Sequence, residues 1–167
     1  MPTETVIRPA REDELAEVLR LWREANVTPP SLSDSVEGLT RLMREPNAVL
    51  LLAVRDGRIV GSVIGGWDGW RGNVYRLAVT PEFRRRGIAR ELVERITRAL
   101  FDKGAEIISA LVEHEHPWAI RFWDCLGDLG YQHGPRFVRY VADGDNRVAL
   151  LGGDARSAVV KGGGGGR

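Results

Sequence analysis

Between Leu77 and Arg90 a β-leaning run ends at Val79, a short connection carries Arg84, Arg85 and Arg86, and Gly87 opens an apolar-faced helix. That order makes an anion site. The first N–H groups of a helix have no internal partner, point outward along its axis, and add a partial positive end worth roughly 0.3–1 kcal/mol to a nearby anion. A diphosphate supplies the missing acceptors. A side chain at residue 87 would hold phosphate oxygens away from the amides, and Ala89 is small for the same reason. Charge-assisted hydrogen bonds are about twice as strong as neutral ones, so several amides together outweigh the dipole. The arginines add charge at the rim, and a merely solvated basic turn is the competing reading. Spacing excludes other phosphate cradles: Lys103 and Lys161 are each followed by glycine, so no GxxxxGK[ST] exists, and no GxGxxG follows a strand.

Glu113-His114-Glu115-His116 has the residue types of a metal cluster. Alternation along a strand would put the histidines on one face and the acids on the other, too few ligands on either side, so no metal is expected. Cys125 is the single cysteine and belongs to no CxxC pair. It reads as a small buried residue.

These residues need elements to place them. Val6-Ile7-Arg8-Pro9 reads as a strand, and Leu15, Val18, Leu19 and Trp22 recur at helical spacing. After Thr28-Pro29-Pro30, Ser33 or Ser35 can cap a second helix carrying Val36, Leu39, Leu42 and Met43. Ala48 to Val54 and Arg58 to Ile64 flank Asp56-Gly57, a hairpin signal. Gly65 to Gly72 reads as a glycine and tryptophan loop, and Asn73 to Val79 as the next strand. Ile88, Leu92, Ile96 and Leu100 define a helix with acid-first pairs Glu91–Arg95 and Glu94–Arg98, stopped at Gly104. Glu106 to Val112 reads as a strand, Pro117 starts a helix with Ile120, Phe122, Trp123 and Leu126, and Arg136 to Val141 reads as a final strand, with one more offered by Arg147 to Leu151. The order β-α-α-β-β-β-α-β-α-β is an α/β arrangement, antiparallel early, in which a right-handed crossover makes strands four and five parallel.

The chain has 167 residues, 43% of them hydrophobic and 28% charged. That suits one globular domain burying ~68–70% of its unfolded surface. A net charge of +1 gives no strong field for nucleic acid. The lone cysteine fits a reducing compartment, and neither a leader segment nor a run of ~18 apolar residues is visible, so the expected location is the cytoplasm, away from membranes. The expected division is a folded domain over 1–151 and a flexible Gly-rich tail over 152–167.

Leu77-Ala78-Val79, Pro81 and Arg84-Arg85-Arg86-Gly87-Ile88-Ala89 resemble the central signature of the GNAT superfamily of acetyl-CoA-dependent N-acetyltransferases. In that family the motif is Arg or Gln, any two, Gly, any one, Gly or Ala, and Arg84, Gly87 and Ala89 fill it. The resemblance spans Val6 to Val141, about four-fifths of the chain, with Ala119, Phe122, Gly130 and Tyr131 resembling the later helix and final-strand entry. It implies a mixed, mostly antiparallel central sheet with parallel, splayed strands four and five and flanking helices.

It also implies a mechanism: an amine attacks acetyl-CoA directly within a ternary complex. Leu77, Ala78 and Val79 would hold the pantetheine arm, the Val79 amide facing the thioester carbonyl, a donor worth roughly 10²–10³ in rate. Residues 84 to 90, Arg90 included, would hold the pyrophosphate. His116 stands where an asparagine commonly contacts the coenzyme, and Trp123 where the family usually has a tyrosine that protonates the leaving thiolate. Tyr131 or Tyr140 would replace that acid, or the thiolate, of pKa ~8.5, would leave unassisted. Deprotonating an alkyl amine of pKa ~10.4 at pH 7 costs roughly 4.6 kcal/mol, so a base is needed. Glu113 is the first candidate, ahead of His114, Glu115 and Asp68. Trp67, Asp68, Trp70 and Tyr75 would border the acceptor pocket, where aromatic walls and an acid suit a cationic or aromatic amine. The acceptor is then a primary amine on a small molecule or protein, a homodimer is an option, and an acyl-CoA-binding module without turnover is the alternative.

Overall fold

The computed structural model describes residues 4–26, 28–135 and 137–142. The elements are β1 (Val6–Pro9), α1 (Leu15–Ala25), α2 (Val36–Arg44), β2 (Ala48–Arg55), β3 (Arg58–Trp67), β4 (Gly72–Val79), α3 (Ile88–Lys103), β5 (Ile108–Ala110) and α4 (Pro117–Asp124), with single 3₁₀ turns at Glu12–Glu14, Pro81–Phe83 and Gly127–Leu129. Residues up to Gly134 form one unit, and a second begins at Pro135. No helix among the described residues is long and apolar enough to cross a membrane.

The five strands lie in sequence order, antiparallel from β1 to β4, with β5 parallel to β4. Alternation sends Leu50, Leu52 and Ile64 to one face, against Leu15, Val18, Leu21, Trp22 and Leu39 of α1 and α2. Leu51, Val60, Val63, Val74 and Val79 take the other face, against Leu92, Ile96 and Leu100 of α3. Asp56 (φ 51°) and Gly57 (φ 74°) both turn left-handed, as the expected hairpin requires.

Two features set the position of α3. Gly104 (φ 112°) ends it, its N–H bonding back to Leu100 and Phe101. At Gly65 a Cβ would lie 2.6 Å from Ile96 Cγ1, so the absence of a side chain lets the helix settle on the sheet. Ser35 caps α2, accepting from the Gly38 N–H at 3.0 Å.

Several expectations are corrected. Trp67 is the last residue of β3, not part of a loop, because its N–H continues to the Asn47 carbonyl at 3.0 Å. The fifth strand covers three residues instead of Glu106 to Val112, since its pairing with β4 stops at Val74↔Ala110. Residues 137–142 carry no strand: β-leaning side chains do not make one without a ladder partner. Arg136, the segment Arg147 to Leu151 and the 152–167 tail lie outside the described residues.

Candidate active site

The site begins with a register slip. Ser62 pairs with Ala78, and Ile64 pairs with Tyr75, so three steps on β4 oppose two on β3. The extra residue makes a β-bulge, and Arg76 adopts φ 51° within it. Beyond the bulge β4 runs on to Val79 after β5 has ended, so that among the described residues its outer side has no neighbouring strand. Thr80 donates to the Val60 carbonyl at 2.9 Å, which sets the alternation: Ala78 and Thr80 direct their backbone groups toward β3, and Val79 directs its N–H toward the vacated side.

The chain then turns through Pro81–Phe83 into α3. Arg85 (φ 62°) and Gly87 (φ 80°) are both left-handed, and α3 starts at the next residue. Among the described residues none accepts from the backbone N–H of Arg85, Arg86, Gly87, Ile88, Ala89 or Arg90, and bonding resumes with Glu91 to the Gly87 carbonyl at 3.0 Å. Six consecutive donors are thus gathered at one helix start. A Cβ at Gly87 would meet nothing within 4 Å, so the space over these amides is open. Successive N–H groups in this conformation make an anion-binding concavity.

The three arginines differ. Arg84 turns inward, donating from Nε to the Val79 carbonyl at 3.2 Å and from Nη2 to the Ala25 carbonyl at 2.8 Å. Its guanidinium carbon also lies 5.8 Å from the Trp118 ring centre, and Trp118 is 5.6 Å from His116. Arg86 lies over Phe83 at 5.2 Å, and Arg90 is ion-paired with Asp128. Glu113 to His116 is a turn, not a strand, closed by the His116 N–H on the Glu113 carbonyl at 3.2 Å. The alternation that would have separated acids from histidines does not apply there, and Glu113 Oε2 sits 3.4 Å from His116 Nε2.

Trp123 packs between Phe122, at 5.7 Å, and Tyr131, at 5.0 Å, edge to face in both cases. The Tyr131 hydroxyl is 2.8 Å from Thr97 Oγ1 on α3. Burial raises the phenol above its usual pKa and the threonine partly offsets this, so Tyr131 holds its proton at neutral pH. Cys125 is exposed, contrary to expectation, because it caps α4 where that helix ends at the surface.

On the other side of the bulge a cleft of about 390 Å³ is lined by Glu45, Asn47, Asn73, Tyr75, Trp67 and Asp68, among others. Asp68 Oδ1 accepts from the N–H of Arg71 at 2.8 Å and of Trp70 at 2.9 Å, which lowers its pKa and keeps it ionised. Burial, and then the Asp68 charge, raise the Tyr75 pKa. Trp70 does not line this cleft: it is 74% exposed beneath the Arg71 guanidinium, 4.6 Å away.

A family model described as "Acetyltransferase (GNAT) family" matches residues 13–127. The chain belongs to the acetyltransferase (GNAT) family. Solved structures agree in fold. An aminoglycoside N-acetyltransferase, AAC(6')-Iy, in complex with CoA superposes with a TM-score of 0.70 at 18% identity, over 85% of this chain and 97% of that one. A predicted acetyltransferase with acetyl-CoA from Clostridium acetobutylicum gives 0.65 at 11%, over 83% and 96%. An aminoglycoside acetyltransferase from an uncultured soil metagenomic sample, in complex with sisomicin, gives 0.62 at 19%, over 83% and 97%.

In this GNAT chain the structure joins Arg84 to His116, and so to Glu113, through Trp118, a residue not singled out from sequence. Its only signal was an aromatic in the wet first turn of a helix begun by Pro117. Glu45, Asn47 and Asn73 were likewise missed, since each is an ordinary polar residue until β2, β3 and β4 are paired. Tyr131 meets Trp123 and Thr97, not Glu113, so the proposed base and acid stand in separate clusters. Tyr140 belongs to the second unit.

Proposed function

We propose that the protein transfers acetyl from acetyl-CoA to a primary amine of a small molecule or protein by direct attack within a ternary complex. The observation that carries this reading is the run of six backbone donors from Arg85 to Arg90 around an open, left-handed Gly87. They suit a diphosphate, with Arg85 and Arg86 adding charge. Arg84 acts differently, holding the cradle to β4 and α1 through its two carbonyl bonds.

In this reading the pantetheine arm runs along the side of β4 that β5 leaves open, where parity favours the Leu77 and Val79 amides over that of Ala78. The Val79 N–H then donates to the thioester oxygen as negative charge builds on it, a contribution of roughly 10²–10³ in rate. His116 and Trp123 line the coenzyme. Glu113, held by His116, takes the proton from the incoming ammonium directly or through one water. Tyr131 returns a proton to the departing thiolate once its bond to Thr97 opens.

The acceptor enters by the cleft at Trp67, Asp68 and Tyr75. Glu45 and Asp68 give that cleft two carboxylates, and Asn47, Asn73 and Tyr75 add neutral polar groups, which suits a cationic amine bearing hydroxyl or further amino groups.

The test is release of free CoA thiol from acetyl-CoA with a panel of amines. Acceptor-dependent release, with acetylated amine found by mass spectrometry, is expected. Coenzyme binding without acceptor-dependent thiol would replace this reading with a non-catalytic acyl-CoA-binding module.

A further inference from the structure

The bulge residue Arg76 is gripped at both ends by one side chain of α1. Trp22, 8% exposed, donates from its indole Nε1 to the Ser62 hydroxyl at 2.9 Å. Ser62 is fully buried, and its hydroxyl donates in turn to the Arg76 carbonyl at 3.3 Å. A bulge leaves backbone groups without ladder partners, and a buried carbonyl left unpaired costs about 1–3 kcal/mol. Ser62 is the neighbour that meets this one, and Trp22 fixes the direction in which its proton points.

The other end of Arg76 returns to the same tryptophan. Its guanidinium lies 4.9 Å from the Trp22 ring centre, pairs with Asp34, and donates to the carbonyls of Thr28 at 3.3 Å and Pro29 at 3.2 Å. The segment between α1 and α2 is thereby strapped to the bulge. Arg76 holds a left-handed φ of 51°, which a residue with a side chain adopts at a cost and keeps only where its surroundings fix it.

We infer that Trp22, Ser62 and Asp34 are positioning residues for acetyl transfer: through Arg76 they fix the β4 bulge, and with it the direction of the Leu77 and Val79 amides. This rests on the reading that those amides face the thioester. A change of an ångström in such a donor costs as much as two orders of magnitude in rate, whereas the pyrophosphate cradle lies beyond Thr80 and has a second anchor on α1 through the Arg84 bond to the Ala25 carbonyl. The device therefore acts on turnover more than on coenzyme affinity.

The experiment compares Ser62→Ala, Trp22→Phe and Asp34→Asn with the parent protein, using the best amine of the panel, calorimetry with CoA, and amide NMR shifts. Trp22→Phe keeps a ring and removes the donor, and Asp34→Asn, near the surface, is the variant whose folding is least at risk. Expected are a kcat lowered about tenfold in the first two and less in the third, a CoA Kd within about twofold of the parent, and amide shifts at Leu77 to Val79 larger than those at Gly87 to Arg90. Ser62→Thr, which keeps a hydroxyl, recovers most of the kcat. Variants that melt lower but keep the parental kcat, or shifts absent from Leu77 to Val79, overturn the inference. If the parent acetylates no amine, the functional reading fails, and the amide shifts still decide whether these residues set the bulge.

Discussion

Arg84 closes onto the carbonyl of Val79, five residues before it, across 3.2 Å. The signature arginine and the strand residue proposed to face the thioester are thus one mechanical unit, and the second arm of Arg84 ties that unit to the end of α1 through Ala25. A guanidinium suits the task because its planar fork serves two acceptors at once.

Replacing it separates structure from charge. Arg84→Ala is expected to lower unfolding free energy by about 1–3 kcal/mol, with a weaker CoA affinity at every salt concentration. Arg85→Ala and Arg86→Ala are expected to leave the melting temperature near the parent's and to weaken CoA binding mainly at low salt, since they act as screened surface charges. Thermal melts and calorimetry at two ionic strengths check both.

Gly87 and Gly57 form a matched pair. Each is left-handed, at φ 80° and 74°, and at each an added Cβ meets nothing within 4 Å. Alanine at either position is expected to cost about 1–2 kcal/mol of stability by backbone strain alone. Only Gly87→Ala is expected to abolish measurable CoA binding, because only there does the new methyl enter the space over the amides. Equal losses of affinity in the two variants would refute this.

Gly65 is a packing test. A Cβ there falls 2.6 Å from Ile96 Cγ1 and 3.2 Å from Leu100 Cδ1, so Gly65→Val must push α3 off the sheet. An unfolding cost of about 1–3 kcal/mol is expected in urea titrations, with CoA binding weakened as the helix start moves.

Much of this was legible in the sequence, for local reasons. The hairpin follows from Asp56-Gly57, and α3 from its apolar spacing and the glycines at each end, because the deciding interactions span a few residues. The bulge at Arg76 was not legible: a one-residue slip leaves the apolar pattern of β4 intact, and its supports, Trp22 and Ser62, stand 40 residues apart. Trp67 read as loop because Gly65 and Gly66 resemble a turn, whereas their small size serves α3 and the open face of the sheet. The cradle was legible because its chemistry is main-chain and contiguous. The cleft proposed to take the acceptor is assembled from three strands and their ends, and of its lining only Trp67, Asp68 and Tyr75 were singled out from sequence.

A further prediction concerns acid. Glu14 accepts from Arg8 at 2.5 and 2.9 Å and from the Arg11 N–H at 2.8 Å, and the Arg8 bonds lead in holding its carboxyl down to about 2. A carboxyl depressed in the folded state stabilises above its unfolded pKa, near 4.5, and that contribution fades as pH falls from there toward 2. Glu14→Gln is expected to be less stable than the parent by up to about 3 kcal/mol at pH 7, the gap narrowing below pH 4.5. Urea titrations across that range measure it.

The most direct test of the central claim is the titration of isotope-labelled protein with acetyl-CoA while the backbone amide resonances of residues 85–90 are followed. Saturable shifts at those six amides, lost in Gly87→Ala, are the predicted result. Coenzyme binding that leaves them unmoved, or no binding at all, would contradict the account.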